Sequence, residues 1–413
     1  MNENKLIYNA QILTLDQDQP HAEAVLILGE YFAFVGSEEE TRSYIKEKGY
    51  EVEEIDAKKM LLAPSFNDSH MHFLHCVRAK RSVDLFDATS LKEVLERIKR
   101  AVQQHDPESP LWISGEGWNQ DYFTDDKRFP NKNDLDDISK DVPILLMRAC
   151  FHIGVLNSKA LETMGLLKGQ IEELGDLIEI GDDGHPTGIV RESLFDDIKG
   201  KMPAPRLDDL FKDLIDSQKD LFKHGITSIQ SDDVKYVPGE DFESFYTKLG
   251  EASRKGELKV RYGLQVLVDH LPSLEKTLAT GIHNFHVGRV KFNCIKILTD
   301  GSLGARTAAM RQDYADAKGE RGIYLFSDEE LNDMVALSHK NNLPVALHAI
   351  GDGAMEQCLN AIERAKQLYP HVSPRHGIVH ASRRRSAPTP GSPSATSTSR
   401  PRAPSSGWAA ASW

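Results

Sequence analysis

The chain has 413 residues and a formal net charge of −13, with 40% hydrophobic and 27% charged residues. This composition is typical of a globular protein large enough for one large domain or two ordinary ones. The acidic balance argues against nucleic acid or an anionic membrane as a partner. No apolar run reaches the roughly 18–20 residues that a membrane span needs.

The four cysteines are far apart along the chain and form no CxxC pair. In a chain of this length, that spacing favours reduced thiols. The N-terminus, MNENKLIYNAQILTLDQDQ, has neither a basic segment nor a small-residue cleavage motif. No secretory signal is therefore predicted, and we expect a cytoplasmic location.

Short β-branched and aromatic runs separated by turn residues predict β-structure over residues 5–62. From Pro64 onward, strands alternate with helical stretches. Apolar residues at intervals of three and four predict amphipathic helices over residues 91–104 and within 207–226. The second of these runs into ITSIQSDD, a candidate for a buried strand.

Four more strands and two more helices are predicted: strands at 261–269, 292–301, 344–352 and 375–382, and helices at 327–342 and 354–369. Alternation of this kind predicts an α/β fold on a parallel sheet, open or closed. The stretch from about 105 to 205 fits the alternation poorly. We interpret it as an insertion with a small structure of its own.

Residues 383–413 have a different composition, without any Asp, Glu, Lys, Ile, Leu or Val. Such a Ser/Pro/Arg-rich segment cannot form a core, so one interpretation is a disordered tail. The change in composition comes directly after a predicted strand, without a linker. A frame-shifted or wrongly joined C-terminus explains that position better.

A pair of histidines, His70 and His72, lies in the stretch NDSHMHF. Residues i and i+2 of a strand project to the same face, with Cα atoms roughly 6.5–7 Å apart. Two neutral imidazoles at that spacing can bind one metal ion, and Asp68 on the same face could orient a ligand. The alternative is two surface histidines, because 16 histidines produce some close pairs by chance.

Two further histidines, His348 and His380, each follow a run of strand-forming residues. At the carboxyl ends of parallel strands, such side chains point into a common mouth. A lone histidine at such a position is more often a hydrogen-bonded core residue than a ligand. Four histidines in the same kind of position favour a metal site.

One lysine, Lys296, interrupts the apolar strand FNCIKILTDG, where an unpaired ammonium group would be costly to bury. It could form a salt bridge with Asp300 or another carboxylate. Alternatively, burial lowers the pKa of its amine. A neutral amine can take up carbon dioxide as a carbamate, which is an anionic oxygen ligand for metals.

Four segments, APSFNDSHMHF, CIKILTDGSLGARTAAM, VALHAIGDGAM and RHGIVHA, resemble in order and spacing the YtcJ-like branch of the amidohydrolase superfamily (amidohydrolase family 3). Relatives in that branch include N-substituted formamide deformylases. GEGWNQDYF and HIGVLNSKAL resemble its insertion. The resemblance implies a (β/α)8 TIM-type barrel over residues 63–382, attached to a small β-sandwich to which residues 1–62 contribute.

The same resemblance implies roles for individual residues. The implied metal ligands are His70, His72, Lys296, His348 and His380, and Lys296 could carry a carbamate. The implied substrate-mouth residues are Trp118, His152, Asp300 and Arg306. The implied cofactor is one or two divalent ions, with zinc favoured by the nitrogen ligands, although iron or manganese could occupy the same set.

The implied reaction is hydrolysis of a non-peptide C–N bond, amide or N-formyl, in a small molecule by metal-activated water. A homodimer is a family-level expectation. Two barrel strands and a catalytic aspartate should follow His380, and the Ser/Pro/Arg-rich tail stands there instead. No catalytic base is therefore identified, and the chain as written is predicted to be inactive and poorly stable.

Two alternatives follow from this departure. One is a non-catalytic metal-binding protein that keeps the four histidines. The other is a different hydrolase on the same fold, such as a cyclic amidase, a deaminase or a phosphotriesterase-like enzyme.

Overall fold

The computed structural model describes residues 4–150, 152–167 and 171–381. The tail predicted from residue 383 lies outside these residues. Within them, the chain forms two small N-terminal sheets, a six-stranded sheet and a seven-stranded sheet.

Short strands and one helix make up the N-terminal segment: β1 (Lys5–Tyr8), β2 (Gln11–Leu13), β3 (His21–Ala22), β4 (Ala24–Leu28), β5 (Tyr31–Gly36), α1 (Glu38–Lys48), β6 (Glu53–Asp56) and β7 (Leu61–Leu62). The strand orders are β5-β4-β1-β6 and β3-β2-β7. Strands therefore lie in the segment where the sequence predicts β-structure. Their assembly into a β-sandwich stays a prediction.

Helix α1 was not predicted, although its start signal can be read in the sequence. The Ser37 hydroxyl accepts a hydrogen bond from the Glu40 N–H at 3.2 Å, and the Glu40 carboxylate accepts one from the Ser37 N–H at 3.1 Å. This reciprocal pair is a capping box, which satisfies N–H groups that a helix start leaves unpaired. Three glutamates in the first turn also complement the helix dipole.

A six-stranded sheet follows the first strand and helix of the larger sheet. The elements in chain order are β8 (Phe66–Met71), α2 (Phe73–Ala79), β9 (Val83–Asp84), α3 (Leu91–Gln104), β10 (Ile113–Trp118), α4 (Lys132–Asp136), β11 (Ile144–Arg148), β12 (Ile153–Leu156), α5 (Ser158–Thr163), β13 (Ile178–Ile180), β14 (Pro186–Arg191) and α6 (Glu192–Lys201). Strands β9 to β14 pair in the order β13-β14-β12-β11-β10-β9. This sheet starts at Val83, so it begins before the predicted insertion at about 105–205.

The remaining elements build the seven-stranded sheet, together with β8. They are α7 (Leu207–Lys223), β15 (Ile226–Asp232), α8 (Phe242–Arg254), β16 (Arg261–Leu267), α9 (Leu271–Ala279), β17 (His286–Val287), β18 (Val290–Leu298), α10 (Asp328–Lys340), β19 (Val345–Ala349), α11 (Asp352–Leu368) and β20 (Gly377–His380). Short 3₁₀ helices lie at Gln120–Tyr122, Ile171–Leu177, Val234–Tyr236, Pro238–Glu240 and Ile282–Asn284.

The main path of this sheet is parallel and follows the chain, in the order β8-β15-β16-β18-β19-β20. A helix separates each strand from the next, as parallel connections require. The short strand β17 pairs antiparallel with β18. The α/β class with a parallel sheet is therefore confirmed.

The first and last strands of this path come close together in space. Although β8 and β20 stand at opposite ends of the strand order, the rings of His70 and His380 have centroids 5.5 Å apart. The sheet therefore curls on itself like a barrel. A complete (β/α)8 barrel stays a prediction.

The predicted helices form because their apolar faces have a core to bury. Helix α3 covers the predicted residues 91–104 and buries Leu91, Val94 and Ile98 against the six-stranded sheet. Helix α10 begins at a capping box formed by Ser327 and Glu330. Its buried residues pack with those of α11 over β18 and β19.

All four cysteines are free thiols, with Cys294 and Cys358 buried. Within the described ranges, no helix combines the length and the apolar character needed to cross a membrane.

Candidate metal centre

The two histidines of the HxH motif lie at the carboxyl end of β8, where each is held by one hydrogen bond. His70 Nδ1 lies 2.8 Å from Gln265 Oε1, and the Gln265 amide donates in turn to the Ser69 carbonyl. His72 Nδ1 donates to the carbonyl oxygen of Asp232 at 2.6 Å. Because both partners are acceptors, Nδ1 carries the proton in each ring, which leaves both Nε2 lone pairs free for a metal.

The other two predicted histidines lie on the neighbouring strand ends. The His348 ring is 4.7 Å from that of His380, and the His70 ring is 5.0 Å from that of His72, between centroids. His348 Nε2 donates to the Gly301 carbonyl at 3.1 Å, which leaves its Nδ1 free. The register pairs Leu298 with His348 and Ala349 with His380, so the strand ends are level. The structure therefore brings all four histidines together.

The backbone of His380 is strained. Its φ is 74°, in the left-handed region that β-branched and bulky residues rarely adopt. Strain of this kind persists only when the surroundings enforce it, and it is concentrated at functional sites.

The predicted lysine is fully buried near these rings. Lys296 lies in β18 with no exposed surface, and its Nζ has no hydrogen-bond partner within the described part of the chain. Burial lowers the pKa of Lys296 to about 8, although the nearby Asp232 carboxylate acts in the opposite direction. Lys296 forms no salt bridge with Asp300 or with any other carboxylate of the described residues, so that alternative is wrong.

Asp300 holds the backbone around His348 through hydrogen bonds of its carboxylate. Its carboxylate accepts hydrogen bonds from the N–H groups of Ala309 at 3.1 Å, Ile350 at 3.1 Å and Gly351 at 2.7 Å. One carboxylate oxygen also lies 3.4 Å from His348 Nε2. These contacts hold the loop after β18 against the start of α11, which places the His348 ring.

The protonation states of three rings suit metal binding. Burial, with a further contribution from the Lys296 charge, lowers the pKa of His70 to about 4. Burial also lowers the pKa values of His348 and His380. A metal binds the neutral imidazole, so a lowered pKa keeps these rings in the form that coordinates.

Two carboxylates at the end of β15 were not predicted, although the sequence ITSIQSDD contains them. Asp232 is 4% exposed, and burial raises the pKa of its carboxylate against the charges of Lys296 and His72. Asp233 is 1% exposed and accepts from the Leu74 N–H at 2.8 Å and from the Tyr262 hydroxyl. The sequence feature that could have identified them is a pair of adjacent carboxylates at the end of a buried strand.

The chemical types of these side chains suit a metal ion, although their present positions do not form a complete coordination site. Four imidazoles with free nitrogens surround a buried amine that lacks a partner, and such an amine is costly unless something binds it. As the rings stand, no three His, Cys, Asp or Glu side chains among residues 4–150, 152–167 and 171–381 are close enough to coordinate one ion. Convergence on an ion would therefore require the rings to turn.

Comparison with known proteins identifies the family. The profile described as the amidohydrolase family matches residues 53–392. The chain belongs to this family. YtcJ of Bacillus subtilis (strain 168) is 31% identical over 381 residues, which cover 90% of this chain and 67% of the relative.

Other members of the amidohydrolase family are also similar. The N-substituted formamide deformylase of Arthrobacter pascens is 26% identical over 374 residues, covering 88% of this chain and 66% of its own. A crystal structure of an uncharacterized metal-dependent hydrolase from Pyrococcus furiosus aligns with a TM-score of 0.69 and 27% identity, over 90% of this chain and 72% of that one. The chain spans about two thirds of the length of the curated relatives it matches. Membership and these neighbours together support a hydrolase.

The four residues predicted for the substrate mouth are spread over the molecule. Trp118 is fully buried in the core of the six-stranded sheet, where its ring packs edge-on against Phe129. His152 is exposed and lies 3.1 Å from the Glu192 carboxylate. Arg306 is exposed and pairs with Asp316 at 3.0 Å. Of the four, only Asp300 contacts one of the predicted ligands, His348.

Cavities open on both sides of the histidines. One of about 690 Å³ extends inside the curled sheet from His70 and His380 past Gln230 and Gln265. The other, of about 570 Å³, lies beside α2 at the carboxyl ends of β8 and β15, next to His75 and Tyr236. Active sites of barrel enzymes lie at that end of the strands.

Proposed function

We propose that the protein is a metal-dependent amidohydrolase that cleaves a non-peptide C–N bond, amide or N-formyl, in a small molecule. The observation that carries this proposal is the cluster of His70, His72, His348 and His380 around the buried and unpaired amine of Lys296. Membership of the amidohydrolase family and similarity to an N-substituted formamide deformylase support the type of bond.

The four histidines and Lys296 are the residues that would hold one or two divalent ions. Zinc is the favoured ion because the ligand set is rich in nitrogen. Such an ion would supply Lewis-acid polarisation of the carbonyl and a lowered pKa for a water molecule. The lowered pKa of Lys296 increases the fraction of neutral amine, which is the form that takes up carbon dioxide as a carbamate.

The chain's own residues orient the ligands and handle protons. Gln265, the Asp232 carbonyl and the Gly301 carbonyl fix which nitrogen of His70, His72 and His348 is free. In the hydrolysis, a water oxygen bonds to the acyl carbon, the C–N bond breaks, and the amine gains a proton. We assign the acceptance of the water proton to Asp232, because its buried carboxylate has a raised pKa and no hydrogen bond from any described residue.

A second candidate function is metal binding without turnover. It is favoured by one observation: the Asp300 carboxylate, which lies against His348, is engaged by three backbone N–H groups and is therefore poorly placed to accept a proton.

One experiment separates the two candidates. The purified 413-residue protein is loaded with zinc, its metal content is measured by mass spectrometry, and release of formate or carboxylate is followed with N-formyl and N-acyl amines. The sequence predicts an inactive chain because no base is identified after His380. With Asp232 as the proton acceptor we instead expect turnover and at least one equivalent of zinc, with loss of both in a His70→Ala/His72→Ala variant. Stoichiometric zinc without turnover would support the second candidate, whereas failure to bind any divalent metal would contradict both.

A matched pair tests the assigned proton acceptor. Asp232→Asn should lower kcat by about 100-fold or more while zinc content stays near wild type, because a general base contributes roughly 10²–10⁴ to the rate. Asp216→Asn on α7 is the control, since that carboxylate is exposed and lies outside both cavities. Equal kcat values for Asp232→Asn and wild type would refute the assignment.

A further inference from the structure

The cavity of about 570 Å³ beside α2 has a charge opposite to that of the molecule. Its wall contains Arg78, Arg81, Lys199 and Lys235 against a single carboxylate, that of Glu116. The whole chain carries a net charge of −13. We call this space the basic cavity.

Part of the positive charge in the basic cavity is not neutralised by the protein. Arg81 pairs with Asp213 at 2.6 Å and Lys199 pairs with Asp196 at 2.8 Å. Arg78 donates to the carbonyl oxygen of Tyr236 at 3.2 Å, and neither it nor Lys235 forms an ion pair with any residue that the structure describes. The single acidic group, Glu116, accepts from the Ser82 hydroxyl at 2.7 Å.

The basic cavity is one aromatic layer away from the candidate metal centre. The Tyr236 ring stacks on His75 with centroids 4.6 Å apart and lies 5.6 Å from the His72 ring. The charge of Lys235 also acts on the Asp232 carboxylate. His72 therefore lies about one aromatic ring away from the basic cavity.

The remaining wall is apolar and suits a hydrocarbon or aryl portion. Trp112 is 8% exposed and Met147 is 7% exposed, so both present a small buried edge to the cavity. Met202 completes this side. A flexible thioether next to a flat indole adapts to rings of different shape.

We propose that the basic cavity is the substrate subsite for a carboxylate, so that the protein acts on amides carrying an anionic group about one aromatic ring away from the scissile bond. Arg78 binds the carboxylate through the guanidinium donors that Tyr236 leaves free, and Lys235 adds charge at the rim. A guanidinium matches the two oxygens of a carboxylate in a way that water does not. The inference rests on the proposed hydrolysis for the identity of the reacting group, and on the cavity alone for the anion.

The test uses two ligands that differ only by the carboxylate: 4-(formamidomethyl)benzoate and N-benzylformamide. Binding to the zinc-loaded protein is measured by calorimetry, and formate release is measured separately. We expect the carboxylate ligand to bind about tenfold or more tightly than the neutral one, which is the usual value of a charge-assisted hydrogen bond. Arg78→Gln should remove most of this preference without changing the Kd of N-benzylformamide.

Two further variants test whether the loss of preference comes from the cavity itself or from a general change in the charge of the protein. Lys235→Gln changes an exposed side chain and should lower the preference for the carboxylate by a smaller factor. Arg100→Gln on α3, an exposed arginine outside the cavity, should leave both Kd values unchanged.

The outcomes are distinguishable from failure of the proposed function. Equal Kd values for the two ligands in the wild type, or an undiminished preference in Arg78→Gln, would overturn the carboxylate subsite even if both are hydrolysed. Carboxylate preference without formate release from either ligand would sustain the subsite and contradict hydrolysis of N-formyl bonds, which is one of the two bond types proposed above.

Discussion

Single residues that conflict with their surroundings point to the function more directly than any other feature. Lys296 stands between the fully buried Ile295 and Ile297 in β18, and its amine has no partner in the described ranges. A local conflict of this kind is expected at functional sites, where stability is given up for activity. The position was visible in the sequence because a charge interrupts an apolar run.

Replacement of Lys296 by methionine should separate stability from metal binding. We expect Lys296→Met to raise the free energy of unfolding of the metal-free protein by about 1–3 kcal/mol, because a buried ammonium without a partner is removed at similar volume. Zinc affinity should fall at the same time. Urea denaturation of chelator-treated protein measures the first effect, and calorimetry with zinc measures the second.

The exposed Lys276 of α9 serves as the control, because Lys276→Met should change stability by less than about 0.5 kcal/mol. A Lys296→Met protein less stable than wild type without metal would show that the amine has a stabilising partner.

Asp233 has a structural role, unlike its neighbour Asp232, to which we assign proton acceptance. Its carboxylate joins the first turn of α2, through the Leu74 N–H, to the Tyr262 hydroxyl on β16. The Ser231 hydroxyl accepts from the Phe73 N–H at 2.8 Å. These contacts hold the backbone on the far side of His72, so they set where its ring lies.

A graded pair of variants tests this role. Asp233→Asn should destabilise the protein by about 1–3 kcal/mol and weaken zinc binding, because buried donors lose an ionic acceptor. Tyr262→Phe keeps the bond to Leu74 and should cost only about 1 kcal/mol. Thermal unfolding and zinc titration give both values, and normal zinc affinity in Asp233→Asn would limit that residue to a role in folding.

At the scale of elements, the positions of helices and strands could be predicted from the sequence more reliably than which strands pair with each other. The periodicity of α3 and α7 identified both helices, because their apolar faces are buried. Strands at the four later predicted positions are also present. Pairing of β8 with β15, across some 150 intervening residues of chain, could not be predicted, because local pattern carries no information about distant neighbours.

Two hydrogen-bonded histidines, the buried His339 and the half-buried His376, connect several of these elements. The Val345 N–H at the start of β19 donates to His376 Nδ1 at 3.2 Å, and His376 Nε2 lies 2.8 Å from His339 Nδ1 in α10. His339 Nε2 donates to the Tyr369 carbonyl at 3.2 Å, just after α11. This order of donors requires both rings to be neutral, since each accepts at Nδ1. Sequence gave no reason to pair these two histidines.

The pair predicts acid sensitivity. Burial, followed by the effects of His339 and Lys366, lowers the pKa of His376 to about 4. The unfolded chain takes up this proton near pH 6.5 and the folded chain only near pH 4, so protonation favours unfolding. We expect stability to fall by about 1–2 kcal/mol between those pH values, allowing for the partial exposure of the ring.

Comparison of variants isolates this contribution from other acid-sensitive groups. Glutamine can reproduce the acceptor and donor of His376 without titrating, so His376→Gln should flatten the decline between pH 6.5 and pH 4. His371→Gln changes a nearby exposed ring and should follow the wild type. Chemical denaturation across this range measures the difference, and parallel curves for wild type and His376→Gln would refute the assignment.

At the scale of the whole molecule, the candidate ligands join the two ends of one curled sheet. His70 and His72 belong to the β8 end and His380 to β20, the opposite end of the strand order. Strand order alone would separate them, but the curl places the His70 and His380 rings 5.5 Å apart. A metal bound there would tie β8 to β20, so metal binding and closure of the sheet should be coupled.

Metal removal should therefore loosen the edges of the sheet more than its centre. At a free zinc concentration of 100 times Kd, binding adds about 2.7 kcal/mol to the free energy of unfolding, so a chelator should lower the Tm by several degrees. Hydrogen exchange should show faster opening of β8 and β20, with β16 and β18 less affected, because each central strand is hydrogen-bonded to a strand on both sides, whereas β8 and β20 would be joined to each other through the ion. His380→Ala should abolish both the Tm shift and the edge protection, since it removes the ligand from β20 alone. Zinc protection that persists in His380→Ala would place the ion among the remaining ligands and leave closure of the sheet independent of metal.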